Sequence, residues 1–301
     1  MKRNIYSYSK LWMIFFVLMG AACTNQVEDA IPVSGQPIEF SVQSDWKEIP
    51  NTRLNEGIKK FKAGDKIQIF GFHKYSSEGE VKFMYSVDDP KKQRGQIVTL
   101  DDNNNWNYSP KRFWPKEGTL DFYASYPDYF VLNEGDKMTY VQPDFNPLGV
   151  DLLWGLATDR KCAEAETVPI WMVHALARVN IFFDSSLGDV KQAKVSAYKA
   201  GYFLNANNGV PIWHVDDKTN IEATIPKEPT KDGDVAVFIL PDKITGLKLT
   251  LSDGTEIDVS DKIQNLTFKA GKVYNLKISK GVQKKNTNSR SIAMSVRCVS
   301  E

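Results

Sequence analysis

The chain has 301 residues, and its 38 lysines and arginines almost cancel its 37 aspartates and glutamates, leaving a formal net charge of +1. That balance gives no electrostatic footprint for nucleic acid or for a strongly acidic partner. The 3 cysteines, Cys23, Cys162 and Cys298, are too few for a disulfide-stapled scaffold.

The N-terminus carries Lys2, Arg3 and Lys10, then the apolar run Leu11–Ala22. That run is too short for a stable membrane span and suits the apolar region of an export signal. Gly20, Ala21 and Ala22 lead directly into Cys23, an arrangement similar to the bacterial lipobox, in which the thiol takes a diacylglyceryl group and becomes the new N-terminus. A lipobox usually has a large aliphatic residue three places before the cysteine, where this chain has Gly20. The expected product is a chain without residues 1–22, lipidated at Cys23. Buried acyl chains contribute roughly 0.8 kcal/mol per methylene, so two or more anchor stably. No second apolar stretch approaches span length, which leaves the lipid as the expected anchor. Cys162 and Cys298 then remain, either paired in an oxidising compartment or as free thiols.

Residues 23–36 are polar and read as a flexible tether. From Ile38 the pattern turns to strands: Ile38, Phe40 and Val42 alternate with polar residues. Gly64-Asp65 marks a turn before a strand that runs to His73, and short apolar segments follow through Pro127, separated by Gly, Pro, Asn and Asp clusters. A second set begins after the polar stretch Arg160–Thr167, with Val168–Asp184 as its first segment. Leu247, Leu249 and Leu251 alternate there, as do Tyr274, Leu276 and Ile278. Helical periodicity is nearly absent, and Asp189–Ala200 fits no element firmly. The rhythm predicts an all-β chain of two β-sandwich domains, residues 37–166 and 167–280, with residues 281–301 as a polar linker and a terminal strand.

The order of several segments resembles the fimbrillin family, the lipoprotein pilins and pilus-associated subunits of Gram-negative gut and oral bacteria. These segments are Asn51–Arg53, the turn of Phe61 and Gly64–Ile67, Asn105–Pro115, Leu120–Pro127, Asp151–Trp154, Val173–Ile181, Val237–Pro241 and Phe268–Ile278. The resemblance implies two transthyretin-like β-sandwich domains behind a lipoprotein signal peptide. It further implies a fimbrial subunit or pilus-associated protein of the outer-membrane surface, assembled with other fimbrial subunits by β-strand exchange and serving adhesion.

Most of the side chains that invite chemistry have a structural explanation. Trp106, Tyr108, Phe113 and Trp114 read as strand-face or core aromatics, with a sugar-stacking platform as the other option. That option carries the alternative function, a glycan-binding surface lipoprotein with host or bacterial glycans as partners. His73, His174 and His214 lack metal-ligand spacing, so no metal or cofactor is expected. Asp101–Asn105 lacks the glycine and the acidic residue of a calcium loop, having Trp106 and Arg112 at those positions, and reads as a polar hairpin loop. No nucleophile elbow, metalloprotease helix or phosphate loop occurs, and Gly271-Lys272 is followed by Val273. A non-enzymatic protein is expected.

Two candidate sites remain, the first implied by the resemblance and the second read from the residue pattern. Arg53 is either a solvated loop residue or a candidate cleavage point for an arginine-specific protease, with Lys47 as a weaker one. A cut there removes Ile38–Val42 and leaves an open groove that demands a replacement strand. At the other end, Ile292, Met294, Val296 and Cys298 alternate with Ala293, Ser295, Arg297 and Val299. This strand either folds back on its own C-terminal domain or acts as donor strand for the next subunit.

Overall fold

The computed structural model describes residues 33–44, 61–75, 79–85, 95–128, 131–132, 140–142, 151–199, 201–205, 211–215, 218, 220–229, 233–281 and 294–300. Within them the chain is strands, apart from a helical turn at Ser260–Ile263 and two 3-10 turns at Cys162–Glu164 and Ser185–Leu187.

The largest sheet has eight strands. Its order is β2 (Phe40–Ser44), β12 (Val168–His174), β11 (Leu153–Lys161), β8 (Thr119–Tyr126), β3 (Lys66–Tyr75), β5 (Gln96–Leu100) and β6 (Trp106–Asn107), with β4 (Gly79–Met84) also on the long β3. It curls until its two ends, β2 and β6, approach each other. The concave side encloses a core that includes Ile38, Phe40, Ile67, Ile69, Trp106, Trp114, Leu120, Phe122, Ile170 and Met172. On β3 and β8 burial is nearly continuous rather than alternating. The reason is a second apolar layer on the convex side, where Phe70, Phe72, Tyr123 and Trp154 pack with Leu152, Ala175, Leu176 and Leu240. A strand covered on both faces loses the two-residue period.

Two four-stranded sheets follow. One is β18 (Val235–Ile239), β13 (Ala177–Phe183), β21 (Val273–Lys280) and β22 (Met294–Ser300). The other is β17 (Asn220–Pro226), β14 (Val190–Tyr198), β19 (Ile244–Leu251) and β20 (Glu256–Asp258). They sandwich a core of Val179, Ile181, Val195, Leu247, Leu249, Leu276, Ile278 and Phe268 among others. A small sheet joins β9 (Val131–Leu132) and β10 (Tyr140–Gln142) to β15 (Gly201–Asn205) and β16 (Pro211–Val215), so its strands come from both parts of the sequence. Finally, β1 (Val33–Pro37) forms a ribbon with β7 (Phe113–Pro115), and every residue of β1 is exposed.

Three expectations change. Residues 23–36 were expected as a tether, but the strand β1 starts within them, at Val33. The stretch Asp189–Ala200 contains strand β14, whose alternating burial packs Ala193, Val195 and Ala197 inward. The polar stretch Arg160–Thr167 is not where the sheets change. It is the end of β11 and its connection to β12, which pair antiparallel in one sheet. The change falls inside the apolar segment Val168–Asp184, at buried Ala175 and Leu176. Backbone bonds hold that crossing: Ala175 N–H donates to Leu152 O at 2.8 Å, and Leu176 O accepts from Gly271 N–H at 2.8 Å. Trp213 Nε1–H adds a 2.6 Å bond to Ala175 O.

Candidate functional site

The residues singled out for chemistry are mostly packing residues. Trp106, Tyr108 and Trp114 are buried, and only Phe113 of that aromatic group is exposed, so they form no stacking platform. His73 is buried with Nε2 2.7 Å from Glu117 O. His174 Nδ1 lies 3.0 Å from the Asp151 carboxylate. Asp101 accepts from the backbone N–H groups of Asn103 and Asn105 and from Asn107 Nδ2, closing the β5–β6 loop. The Asn105 N–H foremost holds its carboxyl below the usual range. Among the described residues no group of three or more His, Cys, Asp or Glu side chains is arranged to hold a metal ion. Cys162 is a free, buried thiol, so the pairing with Cys298 is not formed. An open cleft lined by Phe182, Asp184, Asp234, Asn275 and Lys277 has its charges internally matched, with Lys277 Nζ 3.3 Å from Asp184 Oδ2.

What the fold does assemble is a pair of sheet edges, each completed by a strand from one end of the described chain. At the first, β2 runs parallel to β12 in the register Phe40–Val168, Ser41–Pro169, Val42–Ile170, Gln43–Trp171. Residues in register share a face, so Phe40 and Val42 point into the core while Ser41 and Gln43 face out. Ile38 is 0% exposed, and the Phe40 ring meets Phe122 edge-on at 5.3 Å and Tyr108 at 5.8 Å. Tyr108 O–H donates to Ile38 O at 2.8 Å, and Ile38 N–H donates to Arg112 O at 2.9 Å. Burial pushes the Tyr108 phenol up to about 12, so it stays a neutral donor. Next to this edge Trp171 is 53% exposed. Its signal in the sequence was phase: Val168, Ile170 and Met172 point inward, which puts Pro169 and Trp171 outward.

At the second edge, β22 pairs antiparallel with β21 from Tyr274–Ser300 to Lys280–Met294. Val296 is in register with Ile278 and Cys298 with Leu276, and Ile278 and Leu276 belong to the core. The terminal strand is therefore folded back on its own sheet here. Ile292 lies outside the described residues, as do Cys23, Lys47 and Arg53.

An all-β chain with both outer sheet edges filled by terminal strands matches one family model. Residues 52–293 fit the Fimbrillin-like family, and the chain belongs to it. Among solved structures it resembles a protein described as a cell adhesion protein from Bacteroides uniformis, at 17% identity, covering 88% of this chain and 97% of that one with a TM-score of 0.52. A protein with the same description from Bacteroides ovatus gives 11% identity, 88% and 96% coverage and a TM-score of 0.54. The fimbrial anchor protein Mfa2 from Porphyromonas gingivalis gives 12% identity, 87% and 96% coverage and a TM-score of 0.42. No match was found among curated proteins.

Proposed function

We propose that this chain is a non-enzymatic fimbrial subunit or pilus-associated adhesion protein, lipidated at Cys23, held on the outer-membrane surface and assembled with other subunits by strand exchange. The observation that carries the reading is β2. It is an edge strand that, with Ile38 just before it, plugs the core through Phe40 and Val42, and it lies N-terminal to Arg53. Each such side chain contributes about 1.5–3 kcal/mol through burial. A cut after Arg53 would do two things at once. It would sever the chain from its lipid, and it would remove β1 and β2, leaving the β12 edge and its apolar pockets open. An open edge of that kind is satisfied by a strand added from outside. Family membership and the adhesion descriptions of the structural neighbours support the same reading. The aromatic group behind the glycan-binding alternative is largely buried and no longer supports it.

The direct test is electron microscopy of the surface of a strain lacking this chain, complemented with variants. Wild-type complementation should restore fimbriae; the Arg53→Ala variant should give uncleaved, lipid-bound monomers. Cys23→Ser should lose fatty-acid labelling and membrane retention. Fimbriae whose subunits begin at Cys23 would show that no trimming occurs and would leave the chain an anchor role.

A further inference from the structure

We infer that Lys74 and Asp121 condense into an intramolecular isopeptide bond, an amide that ties strands β3 and β8 together. The inference is independent of strand exchange. Lys74 stands on β3 opposite Thr119 of β8, and Asp121 lies two residues further along β8, opposite Phe72. Residues two apart on a strand share a face, and a long side chain reaches the diagonal position on the neighbouring strand. Lys74 Nζ accordingly lies 2.5 Å from Asp121 Oδ2, which brings together the amine and the carboxylate that an amide would join.

The surroundings suit condensation better than a lasting ion pair. Asp121 is 2% exposed and shares a face with Phe72, a member of the apolar convex layer. A buried ion pair has to offset the desolvation of both charges, whereas an amide carries neither. The other oxygen, Oδ1, accepts from the Asp159 backbone N–H at 2.7 Å. That N–H is aimed by an irregularity: the register of β11 on β8 shifts between Ala157 and Arg160, and Asp159 has a φ of 54°. A positive φ is uncommon outside glycine, and a bulge is a way to re-aim a group. An N–H at Oδ1 is the donor a tetrahedral intermediate needs, because the negative charge develops on that oxygen. The Tyr123 hydroxyl also bonds to the Asp121 carboxyl, and burial foremost pushes its phenol far up, so it stays a neutral donor.

Glu80 completes the cluster from β4, directly opposite Lys74. Desolvation foremost raises its carboxyl, so it can carry a proton in passing. The Lys74 ammonium is held protonated chiefly by its hydrogen bond to Asp121, so it reacts only by handing a proton to that partner. One proton moves from Nζ to Oδ2, and the neutral amine attacks Cγ. The Nζ–Cγ bond forms as the carbonyl electron pair moves onto Oδ1. Glu80 takes a second proton from Nζ and delivers it to Oδ2. The Cγ–Oδ2 bond then breaks, water leaves, and the last proton stays on the amide nitrogen. Nothing is oxidised or reduced, and no co-reactant is needed. The product closes residues 74–121 into a covalent loop that contains β4, β5, β6 and β7.

The test is a tryptic digest of the whole denatured chain, read by mass spectrometry. The expected product is one branched peptide holding residues 74 and 121, lighter by one water than the two separate peptides, with no cut after Lys74. Lys74→Arg keeps a cation beside Asp121 but cannot condense. It should give separate peptides and a melting temperature lower by on the order of 10 °C, the shift expected for losing a closure of that loop size. Followed from the moment of synthesis, Glu80→Gln should slow the appearance of the branched peptide at least tenfold. An unchanged rate would remove Glu80 from the step and overturn that part of the scheme. Wild-type peptides of unmodified mass, with trypsin cutting after Lys74, overturn the bond and leave an ion pair only. So does a water loss confined to the Asp121 peptide, because the amine is then not joined.

Discussion

The two completed edges are built differently. β2 is parallel to its neighbour and short, and its hold comes from side chains: Ile38, Phe40 and Val42 are all buried in the core behind it. β22 is antiparallel to its neighbour and pairs along it over seven register positions, from Met294 to Ser300. Antiparallel ladders are the more stable per residue, whereas burial of large apolar groups contributes more per position than a net backbone hydrogen bond. The N-terminal edge is therefore a plug and the C-terminal edge a zip. A plug is removed once, by cutting the chain, and leaves pockets; a zip opens and recloses without loss. That division of labour would suit the strand exchange proposed above.

The comparison breaks first at Phe40. Phe40→Ala should cost about 3–5 kcal/mol in urea unfolding, since it empties a pocket between Tyr108 and Phe122 that has little room to collapse. An effect below 1 kcal/mol would mean that the plug is not seated and that the ladder alone holds β2. Next comes the support of the groove floor. Gly155 on β11 lies beside β12 in register with Met172, and a Cβ there would stand 2.7 Å from Trp171 O and 2.9 Å from Ile170 Cγ2. Gly155→Ala should push β12 outward and destabilise by about 1–3 kcal/mol, as over-packing does. Hydrogen exchange should then rise at β2 and β12 and stay unchanged at β21 and β22.

Much of this was legible in the sequence because many of the strands have one wet face. Phe40 and Val42, Leu247 and Leu249, and Tyr274, Leu276 and Ile278 all alternate, and all pack inward as the alternation requires. The site where the sheets change was not legible. Val168–Asp184 is apolar almost throughout because its middle, Ala175 and Leu176, is buried between sheets, so nothing in composition marks the break. The polar stretch before it drew attention instead, although polarity there reflects only an exposed strand connection. Trp106, Tyr108 and Trp114 were recognised as packing residues, but the outward position of Trp171 needed the phase of β12, which the surrounding apolar run disguised.

A smaller effect sharpens the difference at the start of the plug. Tyr108→Phe removes the hydroxyl that binds Ile38 O and accepts from Arg112 N–H, the latter at 3.3 Å. The loss should be about 1 kcal/mol, read as lower urea resistance and as faster proteolysis near β1 and β2. The β21–β22 edge should be indifferent to it. Equal loosening at both edges would show that they communicate through the shared layer of Phe70, Tyr123, Trp154 and Leu240, and would end the description of them as independent.

The smallest effect leaves stability untouched and reads the two edges in one experiment. Cys162 is buried against the core behind β2, and burial pushes its thiol up from the ordinary 9.0 to about 11. A raised pKa means that the folded state holds the proton more tightly than the unfolded chain. The contribution is thus intact below pH 9 and is lost as pH rises through the window from 9 to 11. At pH 8 the thiol should accordingly be inert, reacting with an alkylating reagent only at the rate of global unfolding. Cys298 lies on β22 in register with Leu276, which makes its labelling a probe of that strand. If β22 opens by itself, Cys298 should label by a local route whose rate is insensitive to urea at low concentration, while Cys162 labels with the steep urea dependence of the whole molecule. Identical rates and identical urea slopes would mean that the tail leaves only when everything unfolds. A tail held that firmly could not be passed to another copy, and the plug and the zip would be two parts of one cooperative unit.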